Sequence, residues 1–330
     1  MKNSNDKHKI NYVITTKTID TIDLFGDILC EMIKSNHPDI SVSTQTIIKN
    51  NNLKLLGLIM STSSNLSPAI NLNAYYADYK NGVSIFDIYN QILITYEKCK
   101  NEAEEDISLQ IIYDFELAKH LLCYKLINQK NNKEWLKTVP YIPFLDLAIV
   151  LYLLIPFNDT DFGTVYISNT LLDIWNFHDV SSLFKLAHSN TQRKFIANIK
   201  PISNILDDIM DTLNEDSAFF LHEIEELQLF DNDNSMYVAT NDHMINGACV
   251  ILYDNMLRDF ANEIGGDFYV LPSSVHEIIL VPTKDDLSVS YLSDMLSDVN
   301  RTSLSADEVL SDNVYLYRAD TECLEIARYE

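Results

Sequence analysis

Only seven glycines occur in the 330 residues of this chain, and no two of them stand in a Gly-x-Gly arrangement. A phosphate-cradling loop and a dinucleotide fingerprint both need closely spaced glycines, so that backbone N–H groups can approach the anion. Both are therefore absent. Charge narrows the classes further: Lys plus Arg is 24 against 48 Asp plus Glu, a formal charge of -24. Nucleic acid and anionic membrane both require cationic surface, so that sign nearly excludes a general binder of either.

The acidity is uneven. Residues 1–165 hold 15 basic and 19 acidic side chains, whereas residues 166–330 hold 9 and 29. Within the second half, Pro201 to Leu257 contains twelve acids and no Lys or Arg. Apolar residues at 47 % and charged residues at 22 % are ordinary globular usage, so the chain has the material for a core. Its length predicts two domains or one large one.

Cys30, Cys99, Cys123, Cys249 and Cys323 are odd in number and widely spaced, with no CxxC pair for zinc, iron–sulfur or dithiol chemistry. They read as free, mostly buried thiols in a reducing cytoplasm. Met1 to Ile10 lacks the apolar core of a signal peptide. The longest apolar run, Leu147 to Phe157, is eleven residues with Pro156 near its end, whereas a membrane span needs about 20. It reads as a buried strand or a short helix.

Periodicity predicts an amphipathic helix over Thr21 to Ile33, then a hairpin of Ser41 to Lys49 and Leu53 to Met60 turning on Asn50, Asn51 and Asn52. Ala69 to Leu72 reads as a third strand. Ser84 with Asp87 caps a second helix. Leu121 to Ile127 and Phe144 to Leu154 read as strands, Asn158 to Gly163 as a turn into Thr164 to Ser168, and a helix interrupted near Asn176 follows. The acidic stretch reads as one or two helices. After it come strands Met236 to Thr240 and Ala248 to Tyr253, then a helix Asn255 to Ile264 capped by Asp254 and ended by Gly265. Strands Phe268 to Leu271 and His276 to Val281, a helix Val289 to Val299 and a strand Val314 to Tyr317 close the chain. Strands and helices do not alternate strictly, so the expected class is α+β, with mixed, mainly antiparallel sheets and amphipathic helices. Two α+β modules are expected, 1–200 and 236–330, joined by an acidic helical connector over 201–235.

Four segments carry a resemblance. Ser67 to Tyr76 (SPAINLNAYY), Ile142 to Val150 (IPFLDLAIV), Leu271 to Leu280 (LPSSVHEIIL) and Glu308 to Tyr315 (EVLSDNVY) resemble landmarks of a bacterial family, domain-of-unknown-function family 5688, common in gut clostridia. The likeness spans about residues 20–318. It implies a soluble, cytoplasmic bacterial protein and brings no activity with it.

Several local patterns invite chemistry. Ser274 and His276 share one face of a strand and Glu277 the other, so a hydrolase would use Ser274 as nucleophile and His276 as base. Positions i and i+2 of a strand lie about 6.6 Å apart, long for a direct hydroxyl–imidazole bond. His222-Glu-Ile-Glu-Glu226 lacks the second histidine of a zinc protease helix. Asp231 to Asp242 follows calcium-loop spacing but has Met236 where the turn needs glycine. Tyr75, Tyr76, Tyr79, Tyr89 and Tyr96 read as packed rings with their hydroxyls at the surface.

The expected function is therefore a non-catalytic, cytoplasmic protein-interaction module that needs no cofactor or metal. Its candidate surface is acidic: Asp207, Asp208, Asp211, Glu215, Asp216, Glu223, Glu225 and Glu226, facing an unidentified and cationic protein partner. Two alternatives stand beside it. One is a hydrolase assembled from His276, Glu277, Ser274, His243 and Asp146; the other is an acidic DNA mimic that occupies a nucleic-acid enzyme.

Overall fold

Thr21 precedes the first helix instead of opening it: its hydroxyl accepts the Leu24 N–H at 3.2 Å and caps α1 (Ile22–Asn36). The computed structural model describes residues 19–61, 69–104, 109–156, 162–177, 179–204, 236–283 and 287–328. These residues form an α+β fold with three antiparallel sheets, and they group into two compact units. The first comprises residues up to 108 without Asn50–Asn52; the second comprises Asn50–Asn52 and residues 109–330.

In the first unit, β1 (Ser41–Ile48), β2 (Lys54–Ser61) and β3 (Ala69–Asn71) make a meander. The hairpin turns where the asparagine run stands, with Asn51 and Asn52 at φ 56 and 60. Asparagine tolerates that left-handed geometry better than most residues. The helices α1, α2 (Leu72–Lys80) and α3 (Ile85–Glu104) bury Phe25, Leu29, Ile33, Ile88 and Ile92 with Leu58 and Met60 of β2. Ser84 caps α3 through the Asp87 N–H. Tyr75, Tyr76, Tyr79 and Tyr89 pack at the edge of this core, and Tyr96 lies within it.

The second unit contains two sheets. Short helices α4 (Leu109–Tyr113) and α5 (Phe115–Ala118) lead into β4 (Leu122–Asn128), β5 (Tyr141–Phe144), β6 (Leu147–Pro156) and β7 (Phe162–Tyr166). The long apolar run is thus the central strand β6, paired with all three others and buried along nearly its whole length. Phe144 to Leu154 is not one strand. Leu145 and Asp146 form a two-residue turn between β5 and β6, with Phe144 opposite Leu147 and Leu145 at φ 52. No Gly or Asn marks that turn, so the sequence reads straight through it.

Next come α6 (Asn169–Ile174) and α7 (Val180–Lys194), separated where Asn176 adopts φ 50. The helix α7 covers the free edge of β4. Its Thr191 hydroxyl accepts the Tyr124 N–H at 3.2 Å, and Asn190 donates to the carbonyls of Lys119 and Leu122 at 2.9 and 3.0 Å. Edge groups otherwise open to a foreign strand are thereby satisfied.

The six-stranded sheet runs β13-β12-β10-β11-β9-β8, from β8 (Ala197–Pro201), β9 (Tyr237–Asn241), β10 (Phe268–Leu271), β11 (Ile278–Pro282), β12 (Tyr315–Arg318) and β13 (Cys323–Ile326). Two helices accompany it, α8 (Met256–Ile264) and α9 (Val289–Thr302). Leu292, Met295 and Leu296 of α9, at helical spacing, pack on Leu271, Ile279, Val281 and Leu316. On α8, Phe260 meets the rings of Tyr237 and Phe268 at 5.0 and 4.9 Å.

Two local expectations need correction here. Ala248 to Tyr253 is not a strand: Gly247–Leu252 winds as a 3-10 helix, with Gly247 to Ile251 buried. A short segment buried on all sides shows the same apolar run in either conformation. Gly247 lies so close to its neighbours that a Cβ would stand 2.2 Å from the His276 carbonyl oxygen and 2.0 Å from Thr240 Oγ1. In α8 the cap position is Asn255, at φ 63 and without a side-chain cap bond, rather than Asp254. Gly265 ends that helix in the left-handed region as expected.

The division at 108/109 differs from one drawn on charge, because β8 and β9, on either side of the acidic stretch, pair in one sheet. Most of the expected connector, residues 205–235, lies outside the described residues.

Cys30, Cys123 and Cys249 are buried free thiols and Cys323 is exposed. Burial raises the pKa of the first three above the ordinary thiol value. In a Cys99→Ser background, iodoacetamide is expected to label one thiol promptly, Cys323, and the other three only after unfolding. Mass spectrometry of the tryptic peptides reads this out; rapid labelling of Cys123 or Cys249 would contradict their burial.

Candidate functional site

Three of the four landmark segments meet in the second unit, around Asp146. The β5–β6 turn carries Asp146 to the stretch between α9 and β12 and to Tyr315, the first residue of β12. Its carboxylate accepts hydrogen bonds from the Ser311 hydroxyl at 2.6 Å, from Asn313 Nδ2 at 2.8 Å and from the Tyr315 hydroxyl. Its backbone carbonyl accepts the Gln129 N–H at 3.1 Å. Ser311 and Tyr315 are fully buried. Burial first, and the adjacent Asp146 charge second, push the Tyr315 phenol far up, so it remains a donor to the carboxylate.

The third segment lies against the fourth. Leu310 and Ser311 donate their N–H groups to the carbonyls of Ser273 and Pro272, at 2.7 and 3.0 Å, and Val275 donates to Glu308 O at 2.8 Å. Asparagines fix the same stretch from the other side. Asn128 donates to Leu310 O, and Asn51 to the carbonyls of Ala306 and Val309. Asn132, almost wholly buried, donates to Asn50 Oδ1, Asn51 Oδ1 and Asn128 O and accepts the Asn51 N–H. Buried polar groups of this density are tolerated because they satisfy one another.

The residues proposed for hydrolysis have other partners. Ser274 is buried, and its Oγ accepts the backbone N–H of His276 at 3.0 Å, closing a local turn instead of meeting the imidazole. His276 Nδ1 accepts the Asn246 N–H at 3.3 Å, which leaves the proton on Nε2, 4.0 Å from Glu308 Oε1. His243 Nδ1 lies 2.9 Å from Asp242 Oδ1, and its ring stands edge-on to Phe195 at 5.3 Å. Glu277 is half-buried. Asp146 belongs to the cluster above.

Asp242, the twelfth position of the calcium-like spacing, accepts the Ile196 N–H at 3.0 Å and thereby ties the end of β9 to the start of β8. His222, Glu226, Asp231 and the eight acidic candidates from Asp207 to Glu226 lie outside the described residues. Among the described residues no helix is long and apolar enough to cross a membrane.

Sequence reading singled out Asp146 but not its partners Ser311, Asn313 and Tyr315, nor Asn132. Spacing could not find them, since Asp146 and Tyr315 are 169 positions apart. The resemblance could have: IPFLDLAIV, LPSSVHEIIL and EVLSDNVY are the segments that meet. No curated protein and no solved structure matches the chain. A family model does, over residues 23–319, nearly the whole length, and the chain thus belongs to a family of unknown function, DUF5688.

Proposed function

We propose that this protein is a non-catalytic interaction module of the cytoplasm whose acidic stretch engages a cationic protein partner. One observation carries the reading: the stretch leaves and re-enters the sheet at a single point. Pro201 of β8 lies opposite Tyr237 of β9, and one residue further Ile202 donates its N–H to Met236 O at 2.9 Å. A two-residue turn would close that hairpin. Instead the chain spends residues 203–235 there, with ten carboxylates and no Lys or Arg. Two strands already paired do not require such an excursion to register, so its composition is open to selection for binding. The unpaired thiols favour a reducing compartment.

The test replaces residues 203–235 by Asn-Gly. We expect the shortened protein to fold, with a melting temperature within about 5 °C of the full chain, because closure entropy changes slowly with loop length. It should lose a basic partner that the full chain captures at low salt and releases as salt rises. A second variant keeps the length and neutralises Asp207, Asp208, Asp211, Glu215, Asp216, Glu223, Glu225 and Glu226 to Asn or Gln; it should lose the same partner. Retention of every captured protein by both variants would refute the proposal. Capture of a nucleic-acid enzyme in competition with DNA would instead favour the mimic.

A further inference from the structure

A cavity of about 630 Å³ lies in the second unit, walled by β10, β12, β13, the chain after β13 and the start of α9. That is the size range of small-ligand sites. Its wall has three characters. Tyr269 and Leu316 supply apolar surface, Arg318, Arg328, Ser288 and Ser290 supply hydrogen-bond donors, and Asp267 and Glu325, both against Arg318, supply carboxylates. The chain has only five arginines in all, and two of them stand on this cavity, Arg318 offset by its two carboxylate neighbours and Arg328 not.

The donors are in different states of readiness. Arg318 is held in place: its Nη1 is 3.3 Å from Asp267 Oδ2 and its Nε is 3.6 Å from Glu325 Oε1. A guanidinium has five N–H groups, and these contacts use two. Arg328 is exposed and pairs with no carboxylate among the described residues. Ser288 caps α9 by accepting the Tyr291 N–H at 3.2 Å, which leaves its own O–H to donate. Because α9 starts at this wall with no acid in its first turn, its dipole adds to the same sign.

We infer that this cavity binds a small organic phosphate monoester, its phosphoryl group held by Arg328, Arg318 and the Ser288 and Ser290 hydroxyls and its apolar body on Tyr269 and Leu316. Two guanidiniums and two hydroxyls match three phosphoryl oxygens better than the two oxygens of a carboxylate. The volume far exceeds a bare phosphate, and the apolar wall accounts for the remainder. This goes beyond the acidic-stretch reading and is independent of it.

Phenyl phosphate is the probe, with inorganic phosphate and phenylacetate as comparators, measured by isothermal titration calorimetry on the full chain. The expected result is saturable binding of phenyl phosphate, weaker at high salt, with both comparators at least tenfold weaker. Arg328→Gln should weaken phenyl phosphate at least tenfold. Ser290→Trp, an exposed position at the helix start, should abolish binding by filling the cavity, whereas Arg301→Gln, on the far end of α9, should leave it unchanged. No saturable heat at millimolar phenyl phosphate, equal binding of inorganic phosphate, or undiminished binding by Arg328→Gln would each overturn the inference.

Discussion

Raising the pH from about 9 to 11 is expected to unfold the second unit in one cooperative step, with the tyrosinate absorbance of its buried phenols and the loss of circular dichroism moving together. The cause is a set of buried acids that the native state keeps protonated. Burial pushes the Cys123 thiol up to about 11 and the Cys249 thiol up to about 12, from an ordinary 9.0. Burial likewise holds the phenols of Tyr124, Tyr152, Tyr253 and Tyr315 well above their ordinary 10.0. In the unfolded chain these groups ionise at their ordinary values. Above about pH 9 the native state therefore binds more protons than the unfolded state, and stability falls as pH rises. Below that pH the whole contribution is present.

Each group costs about 1.4 kcal/mol per pH unit once its unfolded form is ionised. Two thiols from about pH 9 and four phenols from about pH 10 sum to on the order of 10 kcal/mol by pH 11, comparable to the entire stability of a domain at ~5–15 kcal/mol. Solvent-exposed tyrosines should titrate first and gradually, and the buried set should appear only with unfolding. A smooth tyrosine titration with unchanged circular dichroism through that range would show that these phenols reach solvent without unfolding.

Local signals were strong wherever one face of an element is buried and the other wet. Helix α1, the β1–β2 hairpin on its asparagines and the Ser84 cap of α3 all stand where period and capping chemistry put them. Burial on both faces erased the signal. Gly247–Leu252 is apolar on every side, so alternation and helical period were equally silent, and only the left-handed Asn246 before it marks the turn. The β5–β6 turn was invisible for another reason: Leu145 occupies a left-handed position that a leucine rarely takes. That missed turn matters most for the candidate site, because it puts Asp146 at a hairpin tip instead of inside a strand. The partners of Asp146 lie more than 160 positions downstream, and no periodicity spans that gap.

Asp146→Ala is expected to lower stability by about 3–5 kcal/mol, the cost of leaving several buried donors without an acceptor. In a unit of this size that corresponds to about 10 °C in melting temperature. The size of the effect follows from who is orphaned. The Ser311 hydroxyl and Tyr315 hydroxyl are fully buried and cannot turn to water, whereas Asn313 is exposed and can. Tyr315→Phe removes one donor and leaves the carboxylate two others, so it should cost only about 1–2 kcal/mol. Asp146→Asn keeps one acceptor oxygen but brings an N–H₂ group against donors, and should fall between them. The two hydroxyls can rotate to accept from it, while the Asn313 amide has water as an alternative. The pair Asp146→Ala and Tyr315→Phe should be less destabilising than the sum of the single changes, because the phenylalanine no longer needs the lost acceptor. Urea unfolding of the four proteins measures that coupling directly. A cost for Asp146→Ala within about 0.5 kcal/mol of wild type, the range of an ordinary surface change, would show that the cluster does not hold the β5–β6 turn to the strand that follows Ser311. A large cost confined to Asp146→Ala, with Tyr315→Phe silent and no coupling, would put the energy in the Ser311 bond alone.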